Sequence, residues 1–522
     1  MVTFVMTLPA MAYDFMADGL AYLINEDGKT VTVTYLDRRK STNYDQLTEV
    51  VIPSTVVNPD NNKQYSVTTI GESAFYSNKT ITKLTIPPSI VRMEKDAFGS
   101  SLSKCSLYIS DLARWCAIVF ENNVANPFYS SMPFYLNGEL VSDLVIPKGV
   151  NIINNFAFSR CKSLKTLKIE ADVPTISRNA FNNCSNLTSV VITGNVTKVD
   201  SSAFQSCSKL TTVTLPESVD TIGPSVFASC SSLTEFVCPP NLRHITSRAF
   251  NQCSKLQRVV LGPYIQTIGQ SAFSNCKVLS EVNFPETVRA IGSNAFYNCA
   301  ALEDINLSIN CTDIRNNAFD KTKWLDNQPD GEVAYLGYVA YTYKGTMPEA
   351  YHLVLRDSIV GIAQYAFYNQ KTLDKVTLPF TVYDLGGWSF SNCSNIKEVH
   401  CKMKEPRFTR SQYNLYGDWA VFLGVNLSGV KLYVPVGCRQ AYASTVWNYF
   451  GEIIEEGAVM GDVTGDNKVD VEDVNKVINV ILGIITDSEQ KDICDVNNDS
   501  KVDVEDMNGI INLILGLPFF NH

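Results

Sequence analysis

A phrase of 23 residues that repeats without slipping between residues 153 and 319 constrains the fold more than any other feature of this chain. Its marker is a phenylalanine, which recurs at positions 158, 181, 204, 227, 250, 273, 296 and 319. Two further pairs have the same spacing, Phe75 with Phe98 and Phe367 with Phe390, so the chain carries twelve markers. A unit this short cannot cover its own apolar side, so successive units must stack and bury it against one another.

The apolar positions inside the unit predict a leucine-rich-repeat solenoid. In the phrase AFQSCSKLTTVTLP, Leu210, Val213 and Leu215 form an LxxVxL core whose last two members are two residues apart. In a strand these two point inward, and the residues beside them point outward. The predicted fold class is therefore α/β, with 23-residue coils that each add one parallel strand to a sheet on one face of the solenoid.

The outward positions of the repeated strands form two predicted rows on that sheet. The first row is Thr166, Ser189, Thr212, Glu235, Arg258, Glu281 and Asp304, and the second is Lys168, Val191, Thr214, Val237, Val260, Asn283 and Asn306. These rows are chemically mixed and contain no aromatic residue, so they offer no platform on which a sugar could stack. A solvated sheet face and a protein-binding face are equally open.

Most of the cysteines follow the repeat. Fifteen occur, and eight lie three residues after a marker phenylalanine, at positions 161, 184, 207, 230, 253, 276, 299 and 393. Stacking would align them in a ladder of small, buried structural thiols. Disulfides between neighbouring rungs are the alternative, because a rung spacing near 5 Å lies within disulfide reach. No CxxC motif occurs, which argues against zinc ribbons and redox motifs.

The net charge of the chain and its first twelve residues indicate which partners and which cellular location to expect. The formal net charge of −10 argues against a nucleic-acid partner. Residues 1–12, MVTFVMTLPAMA, predict the remnant of a secretory signal peptide with a small-x-small cleavage site, or alternatively an ordinary strand. No later run reaches the ~18 apolar residues of a transmembrane helix. We therefore predict a protein that is secreted or held at a cell surface.

The rest of the chain divides into caps, inserts and a separate module. Residues 13–64 predict an N-terminal cap built on a β-hairpin, in which an Asn/Asp/Gly turn is followed by an alternating strand. The other predicted boundaries are 65–429 for the array, about 105–145 and 321–355 for two inserts, 430–456 for a C-terminal cap and 457–522 for the module. Two aromatic segments, Trp324 with Tyr335–Tyr343 and Tyr413 with Tyr416 and Trp419, are predicted either to pack in caps and core or to contact a ligand.

Residues 13–456 resemble the BspA-type leucine-rich-repeat surface proteins of bacteria. The shared features are the xxIGxxAFxxCxxLxxVxLP unit, the YISDLARWC and LNGE segments of the first insert, the WLDNQPDGEVAY and YKGTMPE segments of the second, and the LYVPxG closing cap. This resemblance implies a cell-surface or secreted binding protein, often described as an adhesin. It implies no particular ligand.

From residue 459 the chain carries two copies of one acidic loop, 33 residues apart, and KVDVED occurs identically in both. Side-chain oxygens fall at positions 1, 3, 5, 9 and 12 of each copy. They are Asp462, Thr464, Asp466, Asp470 and Asp473, then Asp495, Asn497, Asp499, Asp503 and Asp506. The main-chain carbonyls of Lys468 and Lys501 at position 7 would add a further ligand. This spacing predicts two Ca²⁺ sites, because calcium takes six to eight oxygens and a loop of this length curls them around one ion.

An apolar stripe predicts a helix after each loop, through Val474, Val477, Ile478 and Ile481 and again through Met507, Ile510, Ile511 and Ile514. Paired loop-helix units with aspartate at position 12 resemble a type I dockerin, a small all-α calcium-binding domain. The resemblance implies a cohesin-type partner. It also implies that positions 10 and 11, Val471-Glu472 and Val504-Glu505, contact that partner. The chain departs from the family pattern in two ways. Asn467 and Ser500 stand where the calcium-loop pattern has glycine, and the Val-Glu pairs stand at positions 10 and 11, where many dockerins carry serine or threonine.

No catalytic motif is present, and neither GxSxG, HExxH, Walker A nor GxGxxG occurs. The sequence therefore predicts a non-catalytic binding protein whose array recognises a protein or a glycan while the C-terminal module docks through calcium onto a cohesin-type partner. One alternative is a free-standing adhesin whose calcium module is only a structural cap. Another is an accessory subunit of a polysaccharide-degrading complex with cryptic hydrolase activity, since two carboxylates suffice for that chemistry.

Overall fold

The computed structural model of the chain describes residues 13–36, 44–99, 102, 104–406, 421–456, 461–464, 468–486, 491, 493–497, 499 and 501–517. The chain divides into two units, residues 1–344 and 345–522. Within the described residues, no helix is long and apolar enough to cross a membrane. The predicted signal-peptide remnant, residues 1–12, lies outside them.

The first unit begins with an antiparallel meander of β1 (Phe15–Ala17), β2 (Leu20–Ile24) and β3 (Thr30–Thr34). The turn between β2 and β3 forms because Asp27 accepts the backbone N–H groups of Lys29 and Thr30 at 2.8 Å, while Gly28 takes a φ of +61°. Aspartate and glycine are suited to these two roles. The hairpin predicted for the N-terminal cap is therefore confirmed.

The stack of coils continues through the first insert, where the sequence period stops. Its strands are β4 (Glu49–Val51), β5 (Thr55–Val57), β6 (Gln64–Ile70), β7 (Lys83–Thr85), β8 (Arg92–Met93), β9 (Ser106–Ile109), β10 (Val119–Phe120), β11 (Phe134–Leu136) and β12 (Glu139–Leu140), and α1 spans Leu112–Cys116. β9 lies parallel between β7 and β11, and β10 pairs parallel with β8. Meander strand β3 pairs parallel with β6. The insert therefore extends both ladders of the coils before it, and these ladders end at β10 and β12, before the next sheet begins at Asp143.

In the regular block most coils contribute two strands. In chain order they are β13 (Asp143–Ile146), β14 (Thr166–Ile169), β15 (Thr175–Ile176), β16 (Ser189–Ile192), β17 (Lys198–Val199), β18 (Thr212–Thr214), β19 (Thr221–Ile222), β20 (Glu235–Val237), β21 (His244–Ile245), β22 (Arg258–Val260), β23 (Thr267–Ile268), β24 (Glu281–Asn283), β25 (Ala290–Ile291) and β26 (Asp313–Ile314). The longer strands form the predicted parallel sheet in two segments, β13 to β18 and β20 to β24. The two-residue strands form a second parallel ladder, which the prediction of one strand per coil did not include.

The marker phenylalanines form a buried, stacked column. From Phe158 to Phe319, neighbouring rings lie 5.1–5.7 Å apart between centroids and within 20° of parallel. Phe128, thirty residues before Phe158, stacks on it at 6.5 Å, and Tyr44 packs on Phe75 at 5.2 Å. The irregular coils therefore keep an aromatic ring at the marker position although their lengths differ from 23 residues.

The turn that carries each marker needs two left-handed residues, two places before and two places after the phenylalanine. Around Phe181 these are Asn179 (φ 57°) and Asn183 (φ 59°). Asparagine and serine fill most of these places in the block, and asparagine tolerates the left-handed region better than most side chains. The turns join successive coils through backbone bonds such as Phe181 N–H to the Ala203 carbonyl at 2.8 Å.

The first unit ends in α2 (Lys323–Asp326) and an antiparallel hairpin of β27 (Val333–Leu336) and β28 (Val339–Tyr343). Tyr341 is buried here, and its hydroxyl donates to Asp320 and accepts from the Phe319 N–H. Trp324 packs edge-on against Tyr341 at 5.6 Å. Of the two roles left open for this aromatic segment, Tyr341 fills the packing role, and Trp324 packs on it while remaining half-buried. Tyr413, Tyr416 and Trp419 lie outside the described residues.

The second unit continues the same architecture. Its strands are β29 (Tyr351–Val354), β30 (Gly361–Ile362), β31 (Leu373–Leu378), β32 (Asp384–Leu385), β33 (Glu398–Cys401), β34 (Lys431–Pro435) and β35 (Glu452–Glu456), with α3 at Arg439–Ala443. The order β29-β31-β33-β34-β35 is parallel throughout, and β30 pairs with β32. Trp447 packs on Tyr442 and Phe422 beyond the last marker, Phe390. Two helices, α4 (Val471–Ile481) and α5 (Val504–Ile514), follow near the C-terminus.

Candidate calcium centre and binding faces

Each acidic loop runs directly into a helix that its own aspartates cap. In the first copy, Asp470 accepts the Glu472 N–H at 2.8 Å, and its own N–H donates to Asp473 at 2.9 Å. In the second copy, Asp503 and Asp506 repeat both bonds at the same two distances. Aspartate at both places gives a reciprocal capping box, so the residues predicted at positions 9 and 12 also determine where each helix begins.

The position-12 aspartates are the most enclosed of the module's carboxylates that the structure describes. Asp473 and Asp506 have no solvent-exposed surface. The Thr464 N–H donates to Asp473 at 2.9 Å, and the N–H groups of Val496 and Asn497 donate to Asp506 at 2.9 and 3.2 Å. A carboxylate loses hydration on burial and needs donors or a cation in return. Each of these side chains therefore closes its loop back onto its helix.

The first half of each loop curls its oxygens inward. Asp462 is buried and accepts the Thr464 hydroxyl at 3.1 Å. In the second loop the Asp499 N–H donates to Asp495 at 3.1 Å and to Asn497 at 2.9 Å. The side chain of Asp499 in turn accepts the Lys501 N–H at 2.9 Å. The predicted calcium ligands at positions 1 and 3 of the first loop, and at positions 1, 3 and 5 of the second, therefore lie on tight turns of the chain.

The residues present fit calcium by the chemistry of their donors. The predicted side-chain ligands are carboxylate, amide and hydroxyl oxygens, which hard divalent cations prefer. Residues 457–522 hold thirteen acidic and four basic side chains, whereas the rest of the chain holds forty and thirty-nine. Nearly all of the net negative charge therefore lies in this module. Among the described residues, no group of three or more His, Cys, Asp or Glu side chains is arranged around one point. Asp466, Asn467 and Ser500 lie outside that part of the chain.

A small core joins the two helices beneath the loops. Val463, Val477, Val480, Cys494 and Ile510 are its buried members. Val477 and Ile510 are buried as the predicted stripes require, but Ile481 and Ile514 are 38% and 39% exposed, so the stripes end one turn earlier than the sequence pattern suggests. The Lys476 ammonium donates to the Val463 carbonyl at 2.5 Å and ties the first helix to its loop.

The module exposes the same apolar side chains in both halves. Val471 and Val504 at position 10 are 65% and 54% exposed. Leu482 and Leu515, again 33 residues apart, are 67% and 65% exposed. Glu472 and Glu505 at position 11 are exposed beside them. Large apolar side chains that are exposed at matching positions of both halves are candidates for contact with a partner.

The side chains on the outward face of the array's sheet differ in chemistry from one part of the array to the next. In the regular block the first row pairs its own charges, because Arg258 contacts Glu235 at 2.5 Å and Glu281 at 3.2 Å. Asp304 and Asn306 lie in no strand, so both rows end at β24. In the first insert Tyr108 and Tyr135 occupy an outward row on adjacent strands and stack at 4.5 Å. The absence of aromatic residues therefore holds for the block but not for the whole face.

The second unit carries a comparable outward row. His400 stacks on Tyr433 at 4.3 Å, and its two ring nitrogens lie 2.5 Å from Glu456 and 3.2 Å from Glu398. Lys375 also contacts Glu398, at 2.8 Å, and this pairing is the largest cause that lowers the pKa of the glutamate. These residues were missed because the prediction considered only the regular repeats. The alternation of LYIS and EVHC would have identified Tyr108 and His400 as outward.

Two sequence families account for nearly all of the chain. The profile of the BspA type Leucine rich repeat region matches residues 43–123, 131–257, 243–344 and 339–414. The profile of the Dockerin type I domain matches residues 460–515. Dockerin domains of this type generally bind calcium and imply a cohesin-type partner, and BspA-type proteins are typically secreted or surface-bound. No curated protein sequence matches the chain.

Solved structures of bacterial leucine-rich-repeat proteins resemble this chain. A leucine-rich repeat protein from Bacteroides ovatus is 20% identical over 74% of this chain and 94% of its own, with a TM-score of 0.40. A leucine rich cell surface protein from Faecalibacterium prausnitzii is 16% identical over 88% and 98%, with a TM-score of 0.27. The pneumococcal vaccine antigen PcpA is 16% identical over 85% and 98%, with a TM-score of 0.34.

Proposed function

The chain belongs to the family of BspA-type leucine-rich-repeat proteins and ends in a type I dockerin domain, and from this we propose that it is a non-catalytic, secreted or cell-surface binding protein with two separate binding parts. The array recognises a protein or a glycan. The C-terminal module docks in a calcium-dependent way onto a cohesin-type partner.

The proposal of two calcium ions is supported above all by the duplicated loops. Asp473 and Asp506 are fully buried and tie each loop to its helix, and Asp462 is also buried in the first loop. Asp470, Asp495, Asn497, Asp499 and Asp503 supply the further side-chain oxygens of the described loops. Calcium bound there would offset the repulsion among these carboxylates, so the ion would stabilise the module as well as occupy it.

Docking is proposed to use the exposed residues at positions 10 and 11 of each copy. Val471 and Val504 offer apolar contact, and Glu472 and Glu505 offer charge. A partner that matches this surface would present apolar side chains together with lysine or arginine. Many dockerins of this type carry serine or threonine at these positions, so we expect this module to discriminate against cohesins that recognise hydroxyl groups.

The decisive experiment is a pull-down from surface extract of the source organism, with the full chain as bait in calcium and in EGTA. A second bait carries Asp473→Asn and Asp506→Asn. We expect a cohesin-type protein that is retained by the wild-type chain in calcium and lost both in EGTA and with the double variant. A partner retained equally under all conditions would contradict calcium-dependent docking, and would favour the free-standing adhesin.

The third possibility, an accessory subunit with cryptic hydrolase activity, makes a separate prediction. Purified chain would release reducing ends from a polysaccharide, and one carboxylate substitution would abolish the release. On the outward face of the regular block, Glu235 and Glu281 are engaged in ion pairs across coils with Arg258. A binding function is therefore the one these residues support.

A further inference from the structure

Both sheets of the regular block are interrupted at one coil boundary. β13, β14, β16 and β18 form one sheet and β20, β22 and β24 another, and within the described residues no pairing joins β18 to β20. The second ladder divides in the same way, into β15-β17-β19 and β21-β23-β25-β26. Both breaks separate the coil of Phe204 from the coil of Phe227.

The backbone hydrogen bonds between neighbouring coils on either side of this boundary show which bond the boundary lacks. Thr211 N–H donates to the Thr188 carbonyl at 2.9 Å, and Gln257 N–H donates to the Thr234 carbonyl at 2.8 Å. In the part of the chain that the structure describes, no corresponding bond joins Thr234 to Thr211. Side-chain links remain, because Asn241 donates to the Glu217 carbonyl at 3.0 Å and Ser231 to the Ser208 carbonyl at 3.2 Å.

The marker turns, in contrast, cross the same boundary unbroken. Phe204 N–H donates to the Val226 carbonyl at 3.0 Å, and Ser206 N–H donates to the Ala228 carbonyl at 2.8 Å. The Cys230 thiol still reaches the Phe204 carbonyl at 3.2 Å. The Phe204–Phe227 ring separation of 5.7 Å is the widest between Phe158 and Phe319. Backbone hydrogen bonds therefore join the two coils at the turn side, and in the described chain they are lacking at both sheets, which is an arrangement that suits a hinge.

One side chain distinguishes the coil that follows the break. Phe236 occupies the inward strand position that holds leucine or valine in the neighbouring coils, at 144, 167, 190, 213, 259 and 282. It is buried, and its ring lies 5.7 Å from Phe227 and 4.5 Å from Phe250. Across the break Val213 is only half-buried, whereas Val190 one coil earlier is fully buried. An extra ring in a close-packed stack displaces its neighbours.

We propose that Phe236 acts as a wedge that makes this boundary a joint, about which the repeats before and after it open and close on the marker turns. Both outward rows cross the joint, from Thr212 to Glu235 and from Thr214 to Val237. Motion there changes the spacing of the proposed recognition face. Only that consequence depends on the proposed function, because the joint itself is a property of the packing.

Hydrogen exchange followed by mass spectrometry on the full chain in calcium tests the joint without any ligand. We expect the amides of residues 234–237 and 243–246 to exchange ~10-fold or more faster than those of residues 257–260 and 266–269, because local opening governs exchange. Phe236→Val, which restores the side chain of the neighbouring coils, should slow exchange at 234–237 to the level of the next coil. Val259→Ile is the matched core control and should leave residues 234–237 fast.

Uniform protection across residues 211–269 in the wild-type chain would overturn the proposal, and that measurement needs no variant. So would a folded Phe236→Val chain that still exchanges fast at 234–237. If the valine variant does not fold, as judged by circular dichroism, Phe236→Leu replaces it with the larger side chain found at positions 144 and 167. Loss of partner binding in the pull-down would leave this result unaffected, so the two proposals fail separately.

Discussion

The thiol of Cys184 donates a hydrogen bond to the carbonyl oxygen of Phe158, one coil earlier, over 3.1 Å. The same oxygen accepts the N–H of Cys161 from its own coil at 3.0 Å. Six further cysteines, from Cys207 to Cys393, repeat the thiol bond at 3.0–3.3 Å. Each marker carbonyl thus joins two coils, and cysteine suits the position because it is small, apolar and still a weak donor.

Because the ladder thiols are buried and engaged, we predict that they are inert in the native chain. All fifteen cysteines are free, and Cys438 is the most exposed of them. In calcium, iodoacetamide followed by peptide mapping should label Cys438 first and leave Cys161 through Cys299 unlabelled until the chain is denatured. Labelling of the ladder at the rate of Cys438 would show that the coils open more readily than their packing implies.

The same burial predicts a loss of stability at alkaline pH. Burial raises the pKa of the Cys253 thiol from 9.0 to about 12. Between these values the unfolded chain releases a proton that the folded chain keeps, so the free energy of unfolding should fall as the pH rises above about 9. Urea titrations at pH 8 and pH 10 measure this. Cys253→Ala should be less stable at pH 8 but should lose less stability between the two pH values.

The stacked marker column should carry much of the array's stability. Phe204 is fully buried between Phe181 and Phe227, at 5.4 and 5.7 Å. Phe204→Ala is expected to lower the free energy of unfolding by about 3–5 kcal/mol, through lost transfer energy and the cavity left behind. Phe380 is 66% exposed, and Phe380→Ala should change it by less than about 0.5 kcal/mol. Equal effects of the two substitutions in denaturant titrations would contradict the column's role.

Much of this fold could be predicted from the sequence because its strongest signals are periodic. The 23-residue spacing requires stacked coils, and the LxxVxL core determines which side chains point inward, as the burial of Leu187 and Val190 confirms. The second strand of each coil escaped prediction because two residues are too few to show an alternation. The left-handed turn residues escaped it because asparagine and serine are common at exposed positions for several reasons.

The irregular coils show where period counting stops being informative. Phe98, Phe128 and Phe158 are thirty residues apart, so a search for 23 misses the middle one, although its ring stacks in the same column. Packing in the column requires a buried aromatic ring in each coil. The number of residues between two rings can vary, because the extra residues lie at the surface.

In the module, the capping role of Asp470 and Asp503 could be predicted from the sequence of the loop-helix junction. The exposure of Ile481 and Ile514 could not, because it depends on how the two helices pack against each other.

Calcium removal should unfold the module and leave the array intact, and Cys494 is its natural probe. It is the one cysteine of residues 457–522, and it lies in the module's buried core with Val477 and Ile510. In excess calcium it should resist alkylation. In EGTA it should become the fastest-reacting cysteine of the chain, because the repelling carboxylates destabilise the core around it. The ladder thiols, from Cys161 to Cys299, serve as the internal control and should stay protected in both conditions.

Substitutions at positions 12 and 11 should separate calcium binding from partner binding. Asp473→Asn with Asp506→Asn removes one negative charge from each loop while keeping its shape, and calorimetry should show calcium affinity reduced by at least about tenfold in both sites. Glu472→Gln with Glu505→Gln changes exposed side chains outside the predicted ligand positions, so calcium affinity should stay within about twofold. The same pair should weaken binding of the cohesin-type partner, because it removes the charges proposed to meet basic side chains.

A glutamine pair that lowers calcium affinity as strongly as the asparagine pair would place these glutamates in the metal sites. A glutamine pair without effect on either measurement would leave the apolar residues Val471 and Val504 as the docking contacts.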